Sequence, residues 1–131
     1  MSREKDFEKI IKNISTIPFY RGKKSLVMKG DSLKVLKNIP DHTISLILTD
    51  PPYHSTQKKN IYGDTSFKED AHYIEWMEEY AKEWVRVLKP NGSLFCFCSP
   101  SMSAKLENSE LYPFFKQPLP LKLTTEISHN F

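Results

Sequence analysis

A chain of 131 residues, 39% hydrophobic and 27% charged, has enough material for one small domain with a single core. A net charge of +3 permits a nucleic-acid partner without requiring one. No apolar stretch approaches the ~18 residues that a membrane-spanning helix needs, and the charged amino terminus leads us to expect a cytoplasmic protein.

Along the chain, Phe7, Ile10, Ile11 and Ile14 recur at helical spacing. They predict an amphipathic helix over 3–15 that Pro18 ends nearby. Arg21-Gly22-Lys23-Lys24 reads as a basic turn. Ser25 to Lys29 reads as a strand ending in Gly30-Asp31. Leu33 to Ile39 fits a short helix, with Leu33, Leu36 and Ile39 or Val35 turned inward and Pro40-Asp41 closing it. Ile44 to Thr49 is β-branched and leucine-rich, the pattern of a buried strand, and it stops at Asp50-Pro51-Pro52-Tyr53. Two consecutive prolines can neither donate to a ladder nor continue a helix, so the backbone beyond Asp50 is held extended.

Residues 54–67 form a polar loop containing Lys58, Lys59, Tyr62 and Gly63. Lys68 to Leu88 is the longest helical pattern. Ile74, Met77, Ala81, Trp84 and Leu88 make one stripe, widened by Tyr73, Trp76 and Tyr80, and a stripe so wide points to core packing rather than a ligand platform. Lys89-Pro90-Asn91-Gly92 reads as the helix stop before a third strand, Ser93 to Cys98. Cys96 and Cys98 are two apart and so share a face of that strand. With no further cysteine and scattered histidines, buried reduced thiols are the better reading than zinc. After Met102 the pattern weakens, and the segment after Gln117 reads as an irregular tail.

Strand, helix, strand, helix, strand is the alternation of a parallel sheet, and ligands of open α/β sheets sit at the carboxyl ends of the strands. The ordered set Gly30-Asp31, Asp50-Pro51-Pro52-Tyr53 and Leu88-Lys89-Pro90-Asn91-Gly92-Ser93-Leu94 resembles the DNA amino-methyltransferases of the β arrangement, in their adenine-N6 type. That arrangement places the catalytic half first and the glycine-rich cofactor half last. The family's Phe-x-Gly-x-Gly loop has no counterpart here: Gly22, Gly30, Gly63 and Gly92 are all the glycines, and no two lie close together. The expectation is therefore a truncated α/β chain, a partial Rossmann-like methyltransferase fold with a mostly parallel sheet and flanking helices. Residues 1–20 would be an amino-terminal helix, 21–116 the catalytic half and 117–131 the tail.

The resemblance implies methyl transfer from S-adenosylmethionine to the exocyclic amine of a base flipped out of double-stranded DNA, with no metal. Asp50, Pro51, Pro52 and Tyr53 take the catalytic positions, and Tyr53 offers a face to the base. Asp31 and Asp50 face the cofactor. A cap on the short helix, from Asp31 or Ser32, is an equally good account of this position. Lys58 and Lys59 are placed to meet phosphate, although an ordinary solvated loop accounts for them as well. A cytosine-N4 or RNA methyltransferase, or a remnant without activity, are the alternatives. A sheet missing half its strands would also expose an edge that favours self-association.

Overall fold

In the computed structural model, residues 3–52, 70–98 and 122–125 are described. Helix α1 spans Arg3–Asn13 and strands β1 and β2 span Tyr20–Arg21 and Leu26–Val27. Helix α2 covers Ser32–Lys37, strand β3 Ile44–Thr49, helix α3 Asp70–Val87, strand β4 Leu88–Cys98 and strand β5 Lys122–Thr125. The chain is thus α/β, with flanking helices and two separate sheets. One is the parallel ladder β3-β4-β5 and the other is the antiparallel pair β1-β2.

Two of the three strands expected to alternate with helices do pair in parallel, with Ile47 opposite Leu94 and Thr49 opposite Cys96. The first does not join them. Leu26 and Val27 pair backwards onto Arg21 and Tyr20, because the basic turn closes a hairpin in which Gly22 N donates to the Ser25 carbonyl at 2.8 Å. The parallel arrangement expected is thus confined to β3-β4-β5, and the local turn takes the first strand into a separate antiparallel pair. The segment expected to be irregular also needs correcting, since Lys122–Thr125 pairs in parallel with Phe95–Cys98.

Helix α3 supplies most of the core. Tyr73, Met77, Ala81 and Trp84 are buried along one face and pack against Leu88, Leu94 and Cys96 of β4. Ile44 and Ile47 of β3 and Leu36 of α2 close the cluster. Each large side chain removed from water in this way contributes about 1.5–3 kcal/mol. The stripe read from the sequence is the buried face, with Tyr73 rather than Ile74 at its amino-terminal end. Both faces of β3 are expected to be buried, yet Leu46 and Leu48 are 57% and 67% exposed. Alternation places them on the face opposite Ile47.

The passage from α3 into β4 takes no loop. The terminal carbonyls of the helix are satisfied by the turn before β3, with His42 N donating to Arg86 O at 3.1 Å and Thr43 N to Val87 O at 2.9 Å. His42 sits at φ 53 to make this turn, and its Nδ1 lies 2.8 Å from the Leu88 carbonyl. The Pro90-Asn91-Gly92 stretch does not end the helix, which has already ended. It belongs to a bulge, in which Lys89 to Gly92 loop past Ser45 between the pairs Ile44–Leu88 and Leu46–Ser93. A side chain at Gly92 would come within 2.9 Å of the Leu88 side chain and 3.0 Å of the Lys89 carbonyl.

Candidate active site

Asp50 stands where β3 ends, and the two prolines turn the backbone out of the sheet there. Pro51 is buried and Pro52 half-buried. On the neighbouring segment, Gly30 at φ 149 lets the chain swing from β2 into α2 in a conformation that residues with a side chain rarely adopt. Asp31 follows as the N-cap, its Oδ1 accepting from Leu33 N at 3.0 Å. Its other carboxylate oxygen has no partner among the described residues.

These two segments form one wall of an open cleft of about 550 Å³, to which Gly30, Asp31, Asp50, Pro51 and Pro52 all contribute. The facing wall is aromatic. Trp76, Tyr80 and Trp84 of α3 line it, with ring centroids 4.8 Å apart between Trp76 and Tyr80 and 5.8 Å between Tyr80 and Trp84. The Tyr80 hydroxyl lies 3.1 Å from Ser32 Oγ, joining the two walls. So the face read as core packing does both jobs: Trp84 is buried in the core, and all three rings border the cleft. The arrangement can hold a planar ring on its aromatic side and hydrogen-bond donors on its carboxylate side.

The turn itself is anchored from α3. The hydroxyl of Tyr73, a residue with no exposed surface, donates to the Pro52 carbonyl at 3.0 Å. Sequence reasoning placed Tyr73 in the packing stripe and missed this contact. The one signal available was a hydroxyl-bearing ring at a core position, which needs a partner when buried. Behind Asp50 lies Cys96, across from Thr49. Burial, with Cys98 and Asp50 nearby, pushes its thiol up to about 12.

Of the residues singled out from the sequence, Asp31, Asp50, Pro51 and Pro52 thus share one cleft. Tyr53, Lys58 and Lys59 lie outside the described residues. Among the described residues no three His, Cys, Asp or Glu side chains are grouped to hold a metal ion, and no helix is long and apolar enough to cross a membrane.

A family model of DNA methylases, the N6 and N4 methylases, matches residues 44–128, from β3 through the bulge and β4 to just past β5. The chain belongs to this family of DNA methylases. The type II methyltransferase M.BamHI of Bacillus amyloliquefaciens is 27% identical over 118 residues, 81% of this chain and 28% of its own length. The type II methyltransferase M.PvuII of Proteus hauseri is 37% identical over 81 residues, 62% of this chain and 23% of its own. The DNA adenine methyltransferase YhdJ of Escherichia coli K12 is 41% identical over 70 residues, 53% of this chain and 23% of its own. The chain therefore spans about a quarter of the length of these relatives. No solved structure matches it.

Proposed function

We propose that the cleft is the amine-binding half of an S-adenosylmethionine-dependent DNA methyltransferase, and that the amine is N6 of adenine. The observation that carries this reading is the meeting of Asp50-Pro51-Pro52, at the carboxyl end of β3, with Asp31 in one cleft walled by aromatic rings.

The exocyclic amine of adenine is a poor nucleophile because its lone pair is delocalised into the ring. Two acceptors aimed at its two N–H bonds draw the nitrogen toward tetrahedral geometry and localise that pair. The Asp50 carboxylate and the Pro51 carbonyl are those acceptors. Pro52 keeps the Pro51 carbonyl rigid, and Tyr53 stacks on the base. A base inside a duplex cannot reach such a cleft, so the base is flipped at a cost of a few kcal/mol, with Lys58 and Lys59 on the phosphates. Asp50 need not deprotonate the neutral amine beforehand, since the methylated nitrogen loses a proton easily.

The described residues fit part of the methyl donor. Asp31 offers an unused carboxylate oxygen, Asp50 a second carboxylate, and the aromatic wall a surface for a purine. When bound, S-adenosylmethionine supplies a methyl group on a sulfonium, and alignment with the amine provides much of the acceleration. The names of the type II relatives support a place beside a restriction enzyme. The exposed Leu46 and Leu48 on an edge strand support self-association.

Cytosine-N4 is the second reading, favoured by a family that includes N4 methylases. Mass spectrometry of nucleosides from cells expressing this chain together with a polypeptide that carries the family's glycine-rich cofactor half separates the two. N6-methyladenine above background is expected. N4-methylcytosine without methyladenine overturns the adenine assignment, and neither base modified favours a remnant without activity.

A further inference from the structure

We propose that Tyr73 is a positioning residue for the acceptor carbonyl of Pro51; this inference rests on the amine-methylation reading above. Between Asp50 and the chain beyond Pro52 almost every backbone rotation is already restricted. The proline rings fix φ at 51 and 52, and a following proline confines ψ at 50 and 51 to the extended region. The peptide bonds among the described residues are all trans. The first soft dihedral is ψ of Pro52, which sets where its carbonyl points. That carbonyl takes the Tyr73 hydroxyl at 3.0 Å.

Asp50-Pro51-Pro52 is therefore a stiff rod held at two ends. Strand β3 holds it before Asp50, through the pairing of Thr49 with Cys96. Tyr73 holds it after Pro52, from a helix whose ring at this position has no exposed surface. The Pro51 carbonyl lies between the two anchors. Phenylalanine at 73 would fill the same space without the hydrogen bond to the far end. Tyr73 touches neither the base nor the methyl donor in this account and acts only through the turn.

The test compares adenosine with purine riboside, which differs only in lacking the exocyclic amine. The wild-type chain and Tyr73→Phe are titrated with each nucleoside and followed through the Thr49 and Asp50 amide signals, so that only binding at that end of the cleft is read. The wild-type chain is expected to prefer adenosine. Tyr73→Phe is expected to lower that preference by about three- to tenfold, the worth of one net hydrogen bond, with the affinity for purine riboside unchanged. The Pro52 carbonyl carbon, read through the amide of residue 53, should move upfield in the variant. If wild type prefers adenosine and the variant keeps the preference, or loses affinity for both nucleosides equally, Tyr73 is a packing residue and the proposal is overturned while the amine reading stands. If wild type shows no preference, the adenine assignment falls and takes this role of Tyr73 with it. Should Tyr73→Phe fail to fold, 3-fluorotyrosine installed at position 73 keeps the ring and makes the hydroxyl a stronger donor. The preference should then rise, and an unchanged or smaller one overturns the proposal.

Discussion

Lys89 Nζ donates to Asp6 Oδ2 at 2.5 Å, tying helix α1 to the bulge at the start of β4. The Asp6 side chain is 6% exposed and that of Lys89 22%, so the pair is screened little by solvent. The hydrogen bond from Lys89 holds the Asp6 carboxyl below the usual carboxylate range, against the opposing effect of burial. A carboxyl whose folded pKa is depressed contributes stability above its unfolded value and loses it as pH falls through the folded one. Asp6→Asn should therefore melt at a lower temperature than wild type at pH 7. The gap should close as pH drops below about 4. Thermal melts at pH 7 and pH 3 check this, and a gap of the same size at both would mean that the ion pair is not the cause.

Arg86 is the second long-range tie. Its Nη1 donates to the Ile39 carbonyl at 2.8 Å and to Asp41 Oδ1 at 2.6 Å, and its Nη2 to the Leu36 carbonyl at 2.8 Å. Glu83 Oε2 accepts from both Nε and Nη2. One guanidinium thus satisfies carbonyls at the end of α2 and orients that helix against α3. Lysine has one charged nitrogen and cannot make this planar set. Arg86→Met should cost about 2–3 kcal/mol and Arg86→Lys most of that. Urea unfolding is the measurement, and a near-neutral Arg86→Lys would show that charge alone suffices.

Asp31 has two candidate roles that one pair of substitutions separates. Its Oδ1 caps α2, its other oxygen has no partner among the described residues, and the residue lines the cleft. Asp31→Ala should lose about 1 kcal/mol of stability through the cap. Asp31→Ser should keep the cap but not the carboxylate. If Asp31 also serves the methyl donor, calorimetry should show both variants binding S-adenosylmethionine more weakly than wild type. Equal binding by Asp31→Ser and wild type would leave Asp31 as a cap only.

What the sequence made legible follows from period and punctuation. The stripe through Met77, Ala81 and Trp84 and the double proline after Thr49 are local patterns, and both place their elements correctly. The partners of those elements are not local. Ser25 to Lys29 has the composition of a sheet strand, but a hairpin across Gly22 gives Leu26 and Val27 a nearer partner. Lys122–Thr125 sits after a run of prolines and shows no strong alternation, and it becomes a strand through pairing with Phe95–Cys98. The joining of Gly30-Asp31 to Asp50 was legible because motif order implied it. The bond from Tyr73 to Pro52 was not, since a core periodicity says nothing about where a hydroxyl points.

Cys96 and Cys98 are both reduced and buried. With the Cys96 thiol pushed up to about 12, chiefly by burial, only about one molecule in ten thousand carries its thiolate at pH 8. The native chain should react far more slowly at this position with a disulfide reagent than the same chain in denaturant. Reaction as rapid as that of the denatured chain would mean that β4 opens readily.

The last prediction concerns the 131-residue chain acting alone. It carries Asp50-Pro51-Pro52-Tyr53, yet its glycines stand singly at 22, 30, 63 and 92. A backbone that approaches the methyl donor closely needs residues without a Cβ at neighbouring positions. Without such a glycine-rich loop the sulfonium has no fixed position relative to Asp50, and alignment is where most of the rate arises. We therefore expect no measurable transfer of labelled methyl from S-adenosylmethionine to unmodified bacterial DNA, from either the wild-type chain or Asp50→Ala. Transfer by wild type that disappears in Asp50→Ala would contradict this expectation. It would mean that the chain completes the donor site by itself or by association with a second copy, for which β3, at the edge of its sheet among the described residues, offers a route. Running the assay across protein concentration separates those cases, because a site completed by a second copy gains specific activity as the chain associates.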